Sequence, residues 1–185
     1  MRKLKVEELK RLSPEEFQRA AKTPLVLVLD NVRSGLNVGS AFRTADAFAL
    51  ERVLLCGITA QPPHREILKT ALGASETLPW RYFPQTRSAV EALKEEGFAV
   101  WGVEQTDASL PLQEFHWQPG KKYALVFGNE VRGIGEDVLP LLDGCLEVPQ
   151  FGTKHSLNIA VCVGIVAWEL FRQWKFQQFF PGGKG

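Results

Sequence analysis

Short aliphatic runs alternate with helical segments along most of the chain, and this alternation constrains the fold more than any other feature. Five runs have the length of strands and are rich in Val and Leu, as is typical of strands buried on both faces of a sheet. They occupy residues 25–29, 52–57, 98–103, 122–127 and 144–148. The alternation favours an α/β domain with a mostly parallel sheet, helices on both faces, and ligand-binding loops at the carboxyl ends of the strands.

The segments between the runs predict the remaining elements. Helices are predicted where apolar residues recur at helical spacing, from near residue 37 to residue 48 and at 64–74, 86–96 and 136–142. Residues 111–120 hold Trp117 and two prolines and are predicted to form a surface connection.

The last helical segment is preceded by a polar loop. Residues 159–168 are apolar on nearly every side, so this helix is expected to be covered from more than one direction. Ten such residues are too few to span a bilayer. Ser156 is predicted to cap the helix because its hydroxyl can accept a backbone N–H of the first turn. Taken alone, this segment is also explained as an ordinary core helix.

Composition limits the class of protein. A chain of 185 residues can fold as one domain without a disulfide or a metal. Its three cysteines occur singly inside apolar runs and are predicted to be reduced residues of a cytoplasmic protein. The charged N-terminus lacks the apolar core of an export signal, so no membrane association is expected.

Three polar loops that contain glycine follow predicted strands and are the candidate sites of chemistry. They span residues 30–43, 128–135 and 149–158. A P-loop is disfavoured because Ile134 and Gly135, rather than Lys and Ser or Thr, follow Gly133. His155 beside Ser156 gives only a weak indication of a hydrolase, since adjacent residues at a helix start point in different directions.

The three loops carry motifs in a fixed order. These are Asn37-x-Gly39-x3-Arg43, Phe127-Gly-Asn-Glu130-Val-x-Gly133, and Val148-Pro-x-x-Gly152 with Ser156-Leu-Asn158. Together they resemble the three motifs of the SpoU/TrmH family of RNA 2′-O-ribose methyltransferases, which belongs to the SPOUT superfamily. The resemblance runs from about residue 25 to residue 170, and it is specific because three independent motifs agree.

The resemblance implies a C-terminal deep trefoil knot, a homodimer, RNA (tRNA or rRNA) as substrate, and S-adenosylmethionine as methyl donor without a metal. Carried over by position, the donor would be held by Val103, Glu104, Gly128, Val148, Gln150, Ser156, Leu157 and Asn158. The polar catalytic cluster would consist of Asn37, Arg43, Glu130, Ser156 and Asn158. Gly128 and Gly152 are expected where the backbone approaches the donor closely.

The base that activates the ribose hydroxyl is left open between two residues. The family's proposed base corresponds to Arg43, but a guanidinium accepts protons poorly. Arg43 is therefore expected to hold a phosphate and to stabilise the developing alkoxide. Glu130 is the competing base, and its simpler role is to orient the knot loop by accepting backbone N–H bonds.

The chain is expected to divide into a short basic helical extension at 1–22, a methyltransferase domain at 23–176 and a tail at 177–185. The extension is either a solvated face or an arm that grips RNA. The aromatic residues between 171 and 180 are expected to pack against protein rather than to stack on bases. Two alternative functions are RNA binding without catalysis, disfavoured by the intact polar cluster, and methylation of a base, disfavoured by the motif with Asn37 and Arg43.

Overall fold

Seven strands form one sheet in which every pair of neighbours is parallel, in a computed structural model that describes residues 1–179. The strands are β1 (Thr23–Asp30), β2 (Leu50–Cys56), β3 (Trp80–Phe83), β4 (Phe98–Val103), β5 (Leu110–Pro111), β6 (Lys122–Phe127) and β7 (Gly144–Glu147). Their order across the sheet is β3-β2-β1-β6-β4-β7-β5. The predicted parallel α/β sheet is confirmed, and the five predicted strands appear as β1, β2, β4, β6 and β7.

Six α-helices accompany the sheet within residues 1–179. They are α1 (Pro14–Arg19), α2 (Gly35–Ala47), α3 (Arg65–Ala71), α4 (Ala74–Thr77), α5 (Thr86–Glu95) and α6 (Ile159–Phe179). Alternate side chains of β1 enter two apolar clusters, because successive residues of a strand point to opposite faces. Leu25, Leu27 and Leu29 pack with α2, α3 and α6 on one face, whereas Val26 and Val28 pack with α5 on the other.

Two predicted helices are shorter than expected. The segment 136–142 forms only a 3-10 turn at Leu139–Leu141, since Pro140 at its centre has no N–H to donate to a regular helix. The helix predicted at 64–74 is split into α3 and α4 because Leu72 and Gly73 both adopt left-handed backbone conformations.

The prediction of a surface connection at 111–120 is wrong. This segment begins in β5, and Leu112, Phe115 and Trp117 are buried in the core. The Trp117 ring is 3% exposed and meets the Tyr123 ring edge-on, with centroids 4.6 Å apart. Trp117 therefore packs against Tyr123 of β6 instead of lying on the surface.

The C-terminal helix is longer than its apolar segment. It runs from Ile159 through residue 176 to Phe179, and Trp174 packs against the core. Phe171 stacks on Phe48 with ring centroids 5.2 Å apart, so this part of the aromatic stripe packs against protein. Residues 180–185, which complete the predicted tail, lie outside the described residues. No helix among residues 1–179 combines the length and apolarity needed to cross a membrane.

Candidate active site

A pocket of about 520 Å³ opens at the carboxyl ends of β4, β6 and β7. All eight residues assigned to donor binding line it, namely Val103, Glu104, Gly128, Val148, Gln150, Ser156, Leu157 and Asn158. The convergence follows from the sheet, because parallel strands place their carboxyl ends at one edge. The structure thus brings the second and third motif loops together around one cavity.

The loop after β6 is a tight turn that forms one wall of this pocket. The backbone groups of Asn129 and Gly133 exchange two hydrogen bonds of 2.9 Å. Inside the turn, the Asn129 side-chain oxygen accepts from the backbone N–H groups of Val131 and Arg132 at 2.9 and 3.1 Å. The Glu104 carboxylate at the end of β4 accepts from the Ile134 N–H at 3.1 Å. Glu104 therefore positions the turn, whatever contact it makes with a ligand.

Gly128 is required by the chain itself. A Cβ at this position would lie 2.1 Å from the carbonyl carbon of Gly133 and 2.2 Å from the Ile134 nitrogen, which is far inside van der Waals contact. Glycine at 128 was expected for close approach of the donor, but the backbone of the returning turn already explains it. At Gly152 a Cβ would meet no protein atom within 4 Å, so the packing of the chain does not require that glycine, and the expected close approach of the donor there stays a prediction.

Glu130 joins the second motif to the first. Its carboxylate accepts from the backbone N–H groups of Arg33 and Ser34 at 3.1 and 3.2 Å and from the Asn37 side-chain amide at 3.2 Å. The expectation was that Glu130 would orient its own loop, whereas it mainly binds the start of α2. Burial raises the pKa of Glu130, but these hydrogen bonds together outweigh burial and hold its pKa below the ordinary value. A carboxylate with a lowered pKa is a weak base.

This pKa predicts a pH dependence of the site. Because the folded-state pKa is depressed, the stabilisation by Glu130 is complete above its ordinary value of about 4.3 and is lost as the pH falls through the lower folded value. The Arg33 and Ser34 amide resonances should move together with a midpoint below about pH 4.3, and Glu130→Gln should abolish the movement. NMR titration measures this, and a midpoint above the ordinary value would instead support Glu130 as a base.

Asn158 joins the third motif to the other two. Its side-chain N–H donates to the Asn37 oxygen at 3.4 Å, and its oxygen accepts from the Ala160 N–H at 2.9 Å. Asn158 rather than Ser156 therefore caps α6, and the predicted role of Ser156 as the cap is wrong. The exposed Ser156 lies on the pocket wall two residues before Asn158, outside the helix. Asn37, Glu130 and Asn158 form a continuous hydrogen-bonded chain across the three motifs.

Arg43 is the one predicted catalytic residue that the fold places elsewhere. It follows Asn37 by six residues on α2, which turns it about 120° around the helix axis. It is exposed in a separate groove with Lys69 of α3 and Gly164 of α6. Within residues 1–179 its side chain makes no hydrogen bond or ion pair. The single chain therefore does not bring Arg43 to the other four residues.

Sequence reasoning missed Asp30, which holds the turn from the opposite side to Glu104. Its side chain is 1% exposed, and its carboxylate accepts from the Gly135 N–H at 2.9 Å and from the Thr86 hydroxyl. An acidic residue that ends a buried strand was the available signal. Asp30 and Glu104 together fix both sides of the segment that begins at Gly128.

Cys162 also lines the pocket, and its surroundings disfavour the reactive thiolate form. Burial, and to a smaller extent the nearby charge of Glu104, raise the pKa of Cys162 to about 11. The thiol therefore stays protonated at neutral pH, so a covalent mechanism through this sulfur is disfavoured.

Comparisons with known proteins agree with the motifs. Residues 24–168 match the SpoU rRNA Methylase family. The chain is 29% identical over 166 residues to a tRNA (guanosine(18)-2′-O)-methyltransferase of Thermus thermophilus, covering 90% of this chain and 84% of the relative. It is 35% identical over 159 residues to the 23S rRNA (guanosine(2553)-2′-O)-methyltransferase RlmP of Bacillus subtilis, covering 85% of this chain and 61% of the relative.

A solved structure gives the same result for the fold. The crystal structure of an AdoMet-bound rRNA methyltransferase from Sinorhizobium meliloti superposes with a TM-score of 0.76 at 26% identity. The match covers 88% of this chain and 61% of that protein. This chain therefore spans about three fifths of the length of two of the three proteins compared.

Proposed function

The chain belongs to the SpoU rRNA methylase family, and we propose that it transfers a methyl group from S-adenosylmethionine to a ribose 2′-hydroxyl of tRNA or rRNA. The observation that carries this proposal is the pocket at the ends of β4, β6 and β7, which all eight assigned donor-binding residues line. The names of the Thermus and Bacillus relatives, both 2′-O-methyltransferases, support ribose as the acceptor.

The pocket fits a donor of this size and chemistry. Its volume lies within the range of about 300–1,000 Å³ that is usual for small-ligand sites. Its lining includes the apolar residues Leu146, Leu157 and Ile159, together with backbone of the two motif loops that could recognise an adenine. S-adenosylmethionine supplies an activated methyl group when bound, so the transfer requires no metal.

The polar residues act by positioning rather than by taking the proton: the hydroxyl oxygen forms the new bond to the methyl carbon, the carbon–sulfur bond of the donor breaks, and the hydroxyl proton passes to water. Glu130 fixes the start of α2 through two backbone N–H groups and keeps Asn37 in contact with Asn158. We assign to Arg43 the binding of the RNA phosphate and the stabilisation of the alkoxide, because a permanently charged planar fork can do both. For this role Arg43 must reach a donor pocket, but it does not line the donor pocket of its own chain.

A homodimer would meet that requirement. In the single chain α6 buries Val163, Val166 and Leu170 against the sheet, while Val161, Ile165 and Trp168 of the opposite face are exposed. These three exposed side chains recur at helical spacing and form an apolar stripe, which is a typical mark of a protein interface. Arg43 of α2 lies beside Gly164 of α6. Dimerisation through the stripe of α6 would therefore place Arg43 at the edge of a second subunit.

The trefoil knot is likewise our proposal, and the routing of the chain supports it. After β6 the chain packs Ile134 and Val138 into the cluster that contains α5, and it returns as β7 beyond β4. It then crosses back as α6 on the opposite face, where Val166 packs in the cluster of β1 and α2. We also place the protein in the cytoplasm, as its three free cysteines favour.

The donor should bind with micromolar affinity, corresponding to about −8 kcal/mol. S-adenosylmethionine and its demethylated product should each give a binding heat in calorimetry, and each should raise the melting temperature of the protein. Adenosine alone should bind more weakly because it lacks the amino-acid arm. No heat and no thermal shift with either ligand would contradict the methyltransferase proposal.

The homodimer should appear in light scattering at micromolar concentration as about twice the chain mass of 20.7 kDa. Ile165→Glu should shift it to the monomer mass, because a charge in the stripe is costly to bury. Ile58→Glu is the control, since Ile58 is also an exposed isoleucine but lies after β2, away from the stripe. A native monomer that still methylates RNA would exclude the dimer and its role for Arg43.

A further inference from the structure

An aromatic ring without a partner lies beside the pocket. The Phe151 side chain is 98% exposed, and within residues 1–179 it makes no ring contact. Isolated apolar side chains are common on protein surfaces, so exposure alone carries no argument. This ring is of interest because it lies in the loop between β7 and α6.

Both ends of that loop are fixed at the pocket. Gln150 and His155 line the cavity, and the His155 carbonyl accepts from the Gln105 side-chain N–H at 3.1 Å. Residues 151–154 lie exposed between these two points. The loop therefore holds the Phe151 ring next to the place where the methyl donor is proposed to bind.

The charge of the loop identifies what the ring would contact. Residues 149–158 contain Lys154 and no acidic residue. Lys154 is exposed and forms no ion pair in the described part of the chain. An exposed aromatic ring near an unpaired cation suits single-stranded RNA, whose bases stack on aromatic side chains while its phosphates meet the cation. A second copy of this chain is a poorer occupant, because the apolar stripe of α6 lies elsewhere.

We propose that Phe151 stacks on a base of the RNA beside the nucleotide to be methylated and thereby positions the ribose of that nucleotide at the pocket. The inference rests on the proposed function, since it takes RNA as the substrate. Every base offers an aromatic face, so this contact would hold the strand without selecting its sequence.

The test measures binding of a fluorescently labelled decamer of oligoadenylate RNA by anisotropy, with an abasic decamer of equal phosphate number as the matched probe. Phe151→Ala should weaken binding of the oligoadenylate by about 5- to 150-fold, the effect of removing one stacked base. Binding of the abasic decamer should not change. Phe151→Trp should keep the affinity, whereas Phe151→Leu should not, because leucine is apolar but cannot stack.

Leu72→Ala is the control variant, as Leu72 is an exposed apolar residue between α3 and α4. It should leave both affinities unchanged, and Phe151→Ala should leave the donor affinity and the mass in solution unchanged. An equal loss for both decamers, rescue by leucine, or a change in donor affinity or mass would overturn the inference. Equal binding of both decamers by the unaltered protein, or binding of neither, would also overturn it.

Failure of the proposed function would look different. It would be the absence of methyl transfer to any RNA by the unaltered protein. The decamer measurement contains no donor and does not depend on that result.

Discussion

Replacement of Gly128 by alanine should abolish donor binding and lower the melting temperature by about 6–12 °C. The added methyl group would lie 2.1 Å from the Gly133 carbonyl carbon and 2.2 Å from the Ile134 nitrogen. Both atoms belong to the backbone, so no side chain can rotate away to make room. Overpacking of this kind costs about 3 kcal/mol, and in a chain of this length each kcal/mol lowers the melting temperature by about 2–4 °C. Calorimetry with S-adenosylmethionine and a thermal melt measure the two effects.

Gly152→Ala provides the matched control for that experiment. It makes the same chemical change in the other motif loop that borders the pocket, but the new methyl group would meet nothing within 4 Å. Its melting temperature should stay within about 2 °C of the unaltered value, since substitutions without contacts usually change stability by less than about 0.5 kcal/mol. A Gly128→Ala protein that melts normally and binds the donor would show that the turn can open without cost.

The sequence predicted the sheet well because burial on both faces leaves a readable pattern. Strands such as β1 are covered on both sides, so their side chains form continuous apolar runs rather than alternating ones. The two-residue strand β5 leaves no such pattern. The burial of Trp117 depends on Tyr123 and on Gln173 of α6, which accepts the Trp117 backbone N–H at 2.7 Å. A contact with a distant helix could not be derived from local composition.

The composition of the pocket could be predicted from motif order, but the reasons for individual residues could not. The family resemblance supplied the residues, and the sheet supplied their convergence at one edge. The need for glycine at 128 depends on how closely the turn at Gly133 returns, and the cap of α6 depends on which of two suitable residues, Ser156 or Asn158, begins the helix. These distances are set by packing. They leave no separate signal in the sequence.

Arg43 is the clearest example of a residue whose position could not be predicted from the sequence. Motif spacing grouped it with Asn37, but the rotation of α2 carries it into a different groove, where Lys69 is its cationic neighbour. Spacing along a helix predicts which residues share a face only near three, four or seven positions apart, and six is not one of these. The role that we propose for Arg43 therefore requires a second subunit, and this requirement can be tested.

Arg43→Ala should keep nearly normal donor binding and lose on the order of 10²–10³ in the rate of methyl transfer, about 3–4 kcal/mol, because its interaction strengthens as charge develops on the 2′-oxygen. Arg43→Lys should rescue little, since lysine lacks the planar fork. Lys69→Ala is the control, as it removes a charge from the same groove and should cost less than about tenfold. Equal losses in the two alanine variants would indicate general electrostatic attraction of RNA instead.

Mixed dimers decide whether Arg43 acts across the interface. A dimer of one Arg43→Ala subunit and one Asn158→Ala subunit contains one complete site if Arg43 reaches the partner's pocket, and none if it serves its own chain. We expect about half of the normal rate from purified mixed dimers and little from either parent.

The acceptor is then tested with the same RNA carrying a single 2′-deoxy nucleotide at the modified position. Methyl transfer should vanish while RNA binding persists, because the nucleophile is missing and the phosphates that Arg43 holds are still present. Continued methylation of that RNA would make a base the acceptor and would remove the developing alkoxide on which the role of Arg43 depends.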